Sequence, residues 1–199
     1  DKTEDPPLSD YVKAYIKKKY NKPGEVFLGT IHRLDRPTSG VILYARTSKA
    51  LRRMNEQFRD HKIEKKYWAI VNNPPPKITG KLENYLKKNQ KRNKSYIAKR
   101  GEGKNAILEY KLLKKLDSFY LLEITPKTGR HHQIRAQLAN IGCIIKGDLK
   151  YGSRRSNKDA SIDLLAYKIK FIHPIKKKII TIKALPPTTD LWKACLENY

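Results

Sequence analysis

Residues 105–125 read NAILEYKLLKKLDSFYLLEIT. Two apolar runs, Asn105 to Leu113 and Phe119 to Thr125, flank the polar Lys114 to Ser118, a pattern that predicts a β-hairpin. The surrounding residues 79–125 are predicted to be mostly β. Upstream, Tyr67 to Val71 (YWAIV) is a further predicted strand, closed by the break Asn72-Asn73-Pro74-Pro75-Pro76. Gly40 to Arg46 (GVILYAR) has the β-branched and aromatic content of a buried strand. Downstream, Leu164 to Ile172 and Ile179 to Ile182 alternate as strands around a turn centred on Pro174. Helices are few. Ser9 to Tyr20 is predicted helical, with Ser9 as N-cap, an apolar stripe of Tyr11, Val12, Tyr15 and Ile16, and a stop at Asn21, Pro23 and Gly24. A second helix starts after Thr47 or Ser48 and carries Leu51, Met54 and Phe58 at helical spacing. A third runs from His131 to Ile141 through Ile134 and Leu138 and is closed by Gly142. A fourth covers Thr189 to Leu196. Many strands, few helices and no regular βαβ alternation predict an α+β fold with a mixed, mostly antiparallel sheet flanked by a few helices.

The 199 residues fit a single domain, 1–199, with a sizeable core. Forty-four Lys and Arg against nineteen Asp and Glu leave a formal net charge of +25. That excess attracts polyanions, so nucleic acid is the expected partner; anionic membrane comes second on charge alone. A 39% hydrophobic content with 12 Tyr argues against wholesale disorder. No apolar run has the roughly 20 residues of a membrane-spanning helix. The start, DKTEDPPLSD, has neither the basic opening nor the apolar stretch of a signal peptide. Cys143 and Cys195 are far apart with no CxxC spacing, so neither a disulfide framework nor a zinc ribbon is suggested and a cytoplasmic location is expected. Nothing points to an obligate protein partner.

Three segments carry candidate chemistry. In His32-Arg33-Leu34-Asp35-Arg36-Pro37-Thr38-Ser39-Gly40 one carboxylate sits between two guanidinium groups just before a strand. Arg33 and Arg36 are expected to hold Asp35 ionised, which suits a nucleophile or an electrostatic stabiliser; a surface ion-pair loop fits the same spacing. In Thr128-Gly129-Arg130-His131-His132-Gln133-Ile134-Arg135, Thr128 and Gly129 are read as opening a helix whose N-terminus favours an anion, with Arg135 one turn after His131. His131 and His132 are adjacent and lack a third ligand, so no metal site is read. Around Asn89 to Ser95, Lys87, Lys88, Lys91, Arg92, Lys94, Lys99, Arg100 and Lys104 surround Tyr85 and Tyr96. Such a run can track a phosphate backbone and stack bases, or be a solvated hairpin face.

HRLDRPTSG at 32–40, KKYWAIV at 65–71 and LEITPKTGRHHQIRAQLANIGCIIKGDLKYG at 122–152 together resemble, in order and spacing, the RluA-type family of RNA pseudouridine synthases. The segment SKALRRMNEQFRDHKIEKKY and the later IKFIHPI fit the same pattern, so the resemblance extends from about Gly29 to Leu185. It implies the pseudouridine synthase catalytic-domain fold and an isomerase that turns uridine in rRNA or tRNA into pseudouridine after flipping the base, with no cofactor and no metal. It implies Asp35 as the catalytic aspartate, Tyr67 as the tyrosine against the target base, and Arg135 as the arginine paired with the carboxylate. Substrate contacts are expected from His32, Arg33, Arg36, Arg130, His132 and Ile134. A catalytically silent RNA-binding protein on the same fold is the alternative, disfavoured by Asp35, Tyr67 and Arg135 occurring together. Two departures stand out. The family's Lys-Pro strand lies upstream of the first helix, and the chain begins after that point, so the sheet is expected to lack this N-terminal strand. Where relatives often carry a His before Ala166, this chain has Leu165. No separate S4-like domain is read within 1–199.

Overall fold

The computed structural model describes residues 5–197. In chain order the elements are α1 (Leu8–Lys19), β1 (Gly29–Thr30), β2 (Ser39–Gly40), β3 (Tyr44–Ala45), α2 (Ser48–Arg59), β4 (Glu64–Val71), β5 (Thr79–Asn89), β6 (Lys94–Ala98), β7 (Lys104–Lys115), β8 (Tyr120–Pro126), α3 (Gln133–Asn140), a 3₁₀ turn at Leu149–Tyr151, β9 (Leu164–Ile172), β10 (Ile179–Lys183) and α4 (Asp190–Leu196). The hairpin of residues 105–125 forms β7 and β8, in antiparallel register from Leu108↔Pro126 to Lys115↔Tyr120. The main sheet has eight strands in the order β10-β9-β4-β8-β7-β5-β6, with β2 added beside β9. Every pairing in it is antiparallel except β2 with β9, so the α+β, mixed and mostly antiparallel expectation holds.

Period-two alternation builds the core on both faces of this sheet. From β4, Ala69 and Val71 join Leu108, Leu122 and Ile124 under α3, whose Ile134 and Leu138 cover that face. Trp68 and Ile70 turn the other way, onto Leu121, Leu165 and the Trp192 and Cys195 of α4. Of Thr47 and Ser48 it is Thr47 that caps α2, its hydroxyl accepting from the Ala50 amide at 3.1 Å; Thr189, read as the first residue of the last helix, caps α4 in the same way, accepting from Trp192 at 3.4 Å.

Four expectations need correction. The first helix is preceded by Pro7 in an extended conformation; Ser9 lies within it and caps nothing. Of its stripe only Ile16 is buried, while Tyr11 and Tyr15 stay about 60% exposed (62% and 59%). GVILYAR is not one strand. Gly40, at φ +122°, turns the chain out of β2, and Tyr44–Ala45 pairs instead with β1 in a separate two-stranded sheet. Val41 and Leu43 pack between, against the cluster of Met54, Ile63, Ile169 and Phe171. The third helix starts at Gln133: His132 precedes it in the left-handed region (φ 51°, ψ 26°), so Thr128, Gly129 and His131 are not helical.

Candidate active site

Asp35 lies in the loop between β1 and β2, and backbone geometry fixes where it points. The Thr38 amide donates to the Asp35 carbonyl at 2.9 Å, and the Ile162 amide to the Pro37 carbonyl at 2.9 Å. Gly40 then docks flat on β9. A Cβ there would fall 2.4 Å from the Ala166 carbonyl oxygen, so this close approach requires glycine. His32 closes the loop from the other side. Its Nε2 accepts from the Leu43 amide at 3.0 Å, and its ring stacks on Phe58 with centroids 5.1 Å apart. Burial, with the Lys65 charge adding to it, pushes the His32 pKa down to about 4, so the ring is neutral.

The carboxylate of Asp35, 28% exposed, meets Arg135 on α3, whose Nη1 stands 3.3 Å from Oδ2. Arg135 is itself held from behind. Its Nε and Nη2 donate in a fork to the two oxygens of Asp148, at 2.7 and 2.8 Å, and Asp148 is 1% exposed. Burial works against the Arg135 charge. The hydrogen bonds and charge of Asp148, then those of Asp35, more than offset it and raise the pKa above the usual arginine value. Nη1 also donates to His132 Nε2 at 3.0 Å. Burial and the adjacent guanidinium push His132 down to about 3, so its 3.7 Å approach to Asp35 is not an ion pair. With Nε2 accepting, the His132 proton sits on Nδ1 and donates to the Tyr151 hydroxyl at 3.1 Å. That hydroxyl in turn accepts from the Ser95 amide at 2.9 Å and donates to the Ser95 carbonyl at 3.1 Å.

Asp35 and Arg135 open onto a cleft of about 390 Å³, with Asp148 and Tyr151 behind it. Its wall includes His32, Arg33, Asp35, Tyr67, Arg130, His132, Ile134 and Arg135, so eight of the nine residues singled out from the sequence converge on one place. Tyr67, on β4, is half-buried. Its burial, reinforced by the Asp35 charge, pushes the phenol up to about 12, so it is a neutral O–H donor. Ile134 supplies apolar wall. The ninth residue departs: Arg36 turns outward and pairs with Asp5 at 2.5 Å, both mostly exposed. The expectation that Arg33 and Arg36 flank the Asp35 carboxylate is therefore corrected. Its charged partner comes from 100 residues further along the chain.

Several residues of the site escaped the sequence reading. Asp148 and Tyr151 lie in the KGDLKYG end of the matched stretch, but nothing in their spacing ties them to Arg135. Phe58 and Lys65 line the cleft itself, as does Thr38, whose buried hydroxyl has no hydrogen-bond partner among the described residues. The basic hairpin β5–β6 stands beside the opening. His131 ties it there through Ser95 Oγ at 2.8 Å and Asn93 Oδ1 at 3.1 Å, and Lys150 reaches the Asn93 carbonyl at 3.2 Å. Among the described residues, no group of His, Cys, Asp and Glu side chains is placed to hold a metal ion. None of the helices there is long and apolar enough to cross a membrane.

Comparison with known proteins gives this arrangement its context. The family profile described as RNA pseudouridylate synthase matches residues 3–140. The ribosomal large subunit pseudouridine synthase C of Buchnera aphidicola subsp. Baizongia pistaciae is 38% identical over 185 residues, covering 89% of this chain and 58% of that protein. The tRNA pseudouridine synthase C of Haemophilus ducreyi is 35% identical over 173 residues, covering 78% of this chain and 71% of that protein. The ribosomal large subunit pseudouridine synthase D of Zymomonas mobilis is 33% identical, and this chain covers 53% of it, so the chain spans little more than half the length of these two ribosomal large subunit relatives. Among solved structures, human RNA Pseudouridylate Synthase Domain Containing 4 superimposes with a TM-score of 0.76 at 22% identity, over 96% of this chain and 82% of that one, a likeness of fold. The resemblance carried by the motifs at 32–40, 65–71 and 122–152 is thus borne out, and the chain belongs to the RNA pseudouridylate synthase family, in its RluA-type branch.

Proposed function

We propose that this cleft isomerises uridine to pseudouridine in ribosomal or transfer RNA, with Asp35 as the catalytic carboxylate. The observation that carries the reading is the Asp35–Arg135 pair at 3.3 Å, set in a cation-rich cleft beside a neutral tyrosine. The reaction breaks the N1–C1′ bond, turns the uracil and joins C5 to C1′; the proton leaves C5 and one is regained at N1, so no electrons are exchanged with a carrier. A base inside a helix is out of reach of a half-buried carboxylate, so the target nucleotide must leave its stack and enter the cleft. Tyr67 and Ile134 supply the aromatic and apolar wall for the flipped base, and Arg33 fills space at the opening. Asp35 starts the reaction at the ribose, as base toward the C2′ proton or as nucleophile at the sugar or base. With a pKa near 12, Tyr67 works on the C5 proton as a phenol that relays it, since a standing phenolate is scarce at neutral pH. The RNA backbone outside the cleft runs along the β5–β6 hairpin, where Lys87, Lys88, Lys91 and Arg92 are exposed and Tyr96 offers a stacking face.

The test is pseudouridine mapping in ribosomal and transfer RNA incubated with the purified protein and with its Asp35→Ala variant. The wild type is expected to modify a defined uridine. The variant should lose turnover by roughly 10³-fold or more while retaining RNA affinity. Pseudouridine formation by Asp35→Ala at the wild-type rate would sink the assignment. RNA binding with no product from the wild type would leave a binding protein on this fold instead.

A further inference from the structure

The cations of the cleft are not equivalent. Arg135 is neutralised by Asp148 and Asp35. On β4 and next to it, charges come in pairs: Lys66 with Glu123 at 2.5 Å, and Glu64 with Lys170 at 3.0 Å. Lys65, between those two, faces the opposite side of the strand and enters the cleft on the same face as Tyr67. Among the described residues it makes no ion pair and no side-chain hydrogen bond. Its Nζ lies 5.8 Å from the Phe58 ring centroid, and a Cβ built on Gly129 would come within 3.7 Å of it. Burial lowers its pKa. An ammonium withdrawn from water without a counter-charge is costly, so a chain that keeps one at the wall of a cleft leaves an anion site open.

What stands opposite is suited to the same anion. Gly129 exposes bare backbone, and Arg130 beside it uses only Nε, on the Asn105 carbonyl at 2.9 Å, with no carboxylate paired to its guanidinium among the described residues. Residues i and i+2 of a strand are about 7 Å apart along it. A base against Tyr67 therefore leaves the sugar-phosphate of that same nucleotide within the reach of a lysine side chain at position 65.

We propose that Lys65, together with Arg130 across the cleft, seats a backbone phosphate attached to the flipped nucleotide. This rests on the RNA reading above and adds to it a specific anion subsite, distinct from the diffuse lysines of the β5–β6 hairpin. The subsite accounts for a half-buried, unpaired cation that the Asp35 chemistry does not use. It makes a nucleotide, rather than a nucleoside, the unit the cleft recognises.

The experiment titrates uridine, uridine 5′-monophosphate, uridine 3′-monophosphate and uridine 3′,5′-bisphosphate by NMR against the wild type, Lys65→Met and Lys65→Arg. Methionine keeps the apolar stem on Phe58 and removes the charge; arginine keeps the charge. The wild type is expected to bind the bisphosphate about tenfold more tightly than uridine, the scale of a charge-assisted contact. Lys65→Met should lose most of that advantage while its affinity for uridine stays unchanged, and Lys65→Arg should keep it. The two monophosphates identify which phosphate is held. An unchanged bisphosphate-to-uridine ratio in Lys65→Met overturns the proposal, as does a loss shared equally by uridine and bisphosphate. Absence of turnover on RNA is a separate result that bears on the isomerase reading, because this titration reads binding alone.

Discussion

Replacing Asp148 by asparagine tests whether the centre of the site is a chain of three charges in which the rear member holds the middle one. The substitution keeps shape and volume and removes one negative charge at a position 1% exposed. Arg135, itself 5% exposed, would keep one neutral hydrogen bond to the asparagine oxygen and the bond to neutral His132, and its one remaining counter-charge would be Asp35 at 3.3 Å. Removing one partner of a buried pair costs about 3–5 kcal/mol, because the remaining charge is left uncompensated. The residual Asp35 contact, at a carboxylate 28% exposed, points to the lower end, about 3 kcal/mol. For a chain of this length that is a fall in Tm of about 6–12 °C. Urea unfolding at pH 7 should show the same loss in ΔG with an unchanged m-value. Turnover should fall by roughly 10²-fold, since an arginine freed from its fork no longer presents Nη1 to Asp35. Replacing both partners, Arg135→Met with Asp148→Leu, should restore much of the stability and none of the activity. A loss below about 1 kcal/mol for Asp148→Asn would refute the argument, because it would mean that the Arg135 charge needs no partner at its back.

The other predictions concern the loop that carries Asp35 and the histidines beside it. Gly40→Ala forces a side chain into the left-handed region and against the Ala166 backbone, so it should cost at least about 1–3 kcal/mol in urea unfolding and slow turnover by shifting Asp35; a cost under about 0.5 kcal/mol would contradict the close β2–β9 contact. His132 and His32 are held neutral in the fold, with pKa values of about 3 and 4 against an ordinary 6.5, so the unfolded chain takes up protons that the folded one refuses. Their contribution to stability is complete above pH 6.5 and declines as the pH falls toward 4, by up to about 1.4 kcal/mol per pH unit for each. Urea midpoints at pH 7, 6 and 5 read this slope before most carboxylates titrate; His132→Asn should remove one proton from it, and an unchanged slope would contradict the neutral assignment.

Much of the fold was legible because its signals are local. Two apolar runs around Lys114 to Ser118 specify a hairpin, Thr47 announces a helix with its own hydroxyl, and Gly142 ends one. The cleft was legible in part for the same reason: His32, Arg33 and Asp35 share one short loop, and Arg130, His132, Ile134 and Arg135 share another. What failed were inferences of partnership from adjacency. Arg36 is next to Asp35 in sequence yet pairs with Asp5, because the turn that aims Asp35 inward aims its neighbour out. Asp148 carried no signal, since a lone carboxylate in GDLKYG reads as a turn residue until the fold brings it behind Arg135. GVILYAR has strand composition throughout, but one glycine at φ +122° divides it between two sheets. The left-handed turn at His132, which sends its ring into the site, has no compositional mark because the residue there is not glycine.

The parallel pairing of Ser39 and Gly40 with Leu165 and Ala166 bears on when the protein can work as well as on how. The loop that carries Asp35 leaves a ribosome well before β9, the strand that seats it. Pairings so far apart in sequence are intrinsically slow to form. A nascent chain that already has the whole β5–β6 hairpin still has an unsupported Asp35 loop. On refolding from denaturant, the recovery of sheet should therefore run ahead of the recovery of turnover.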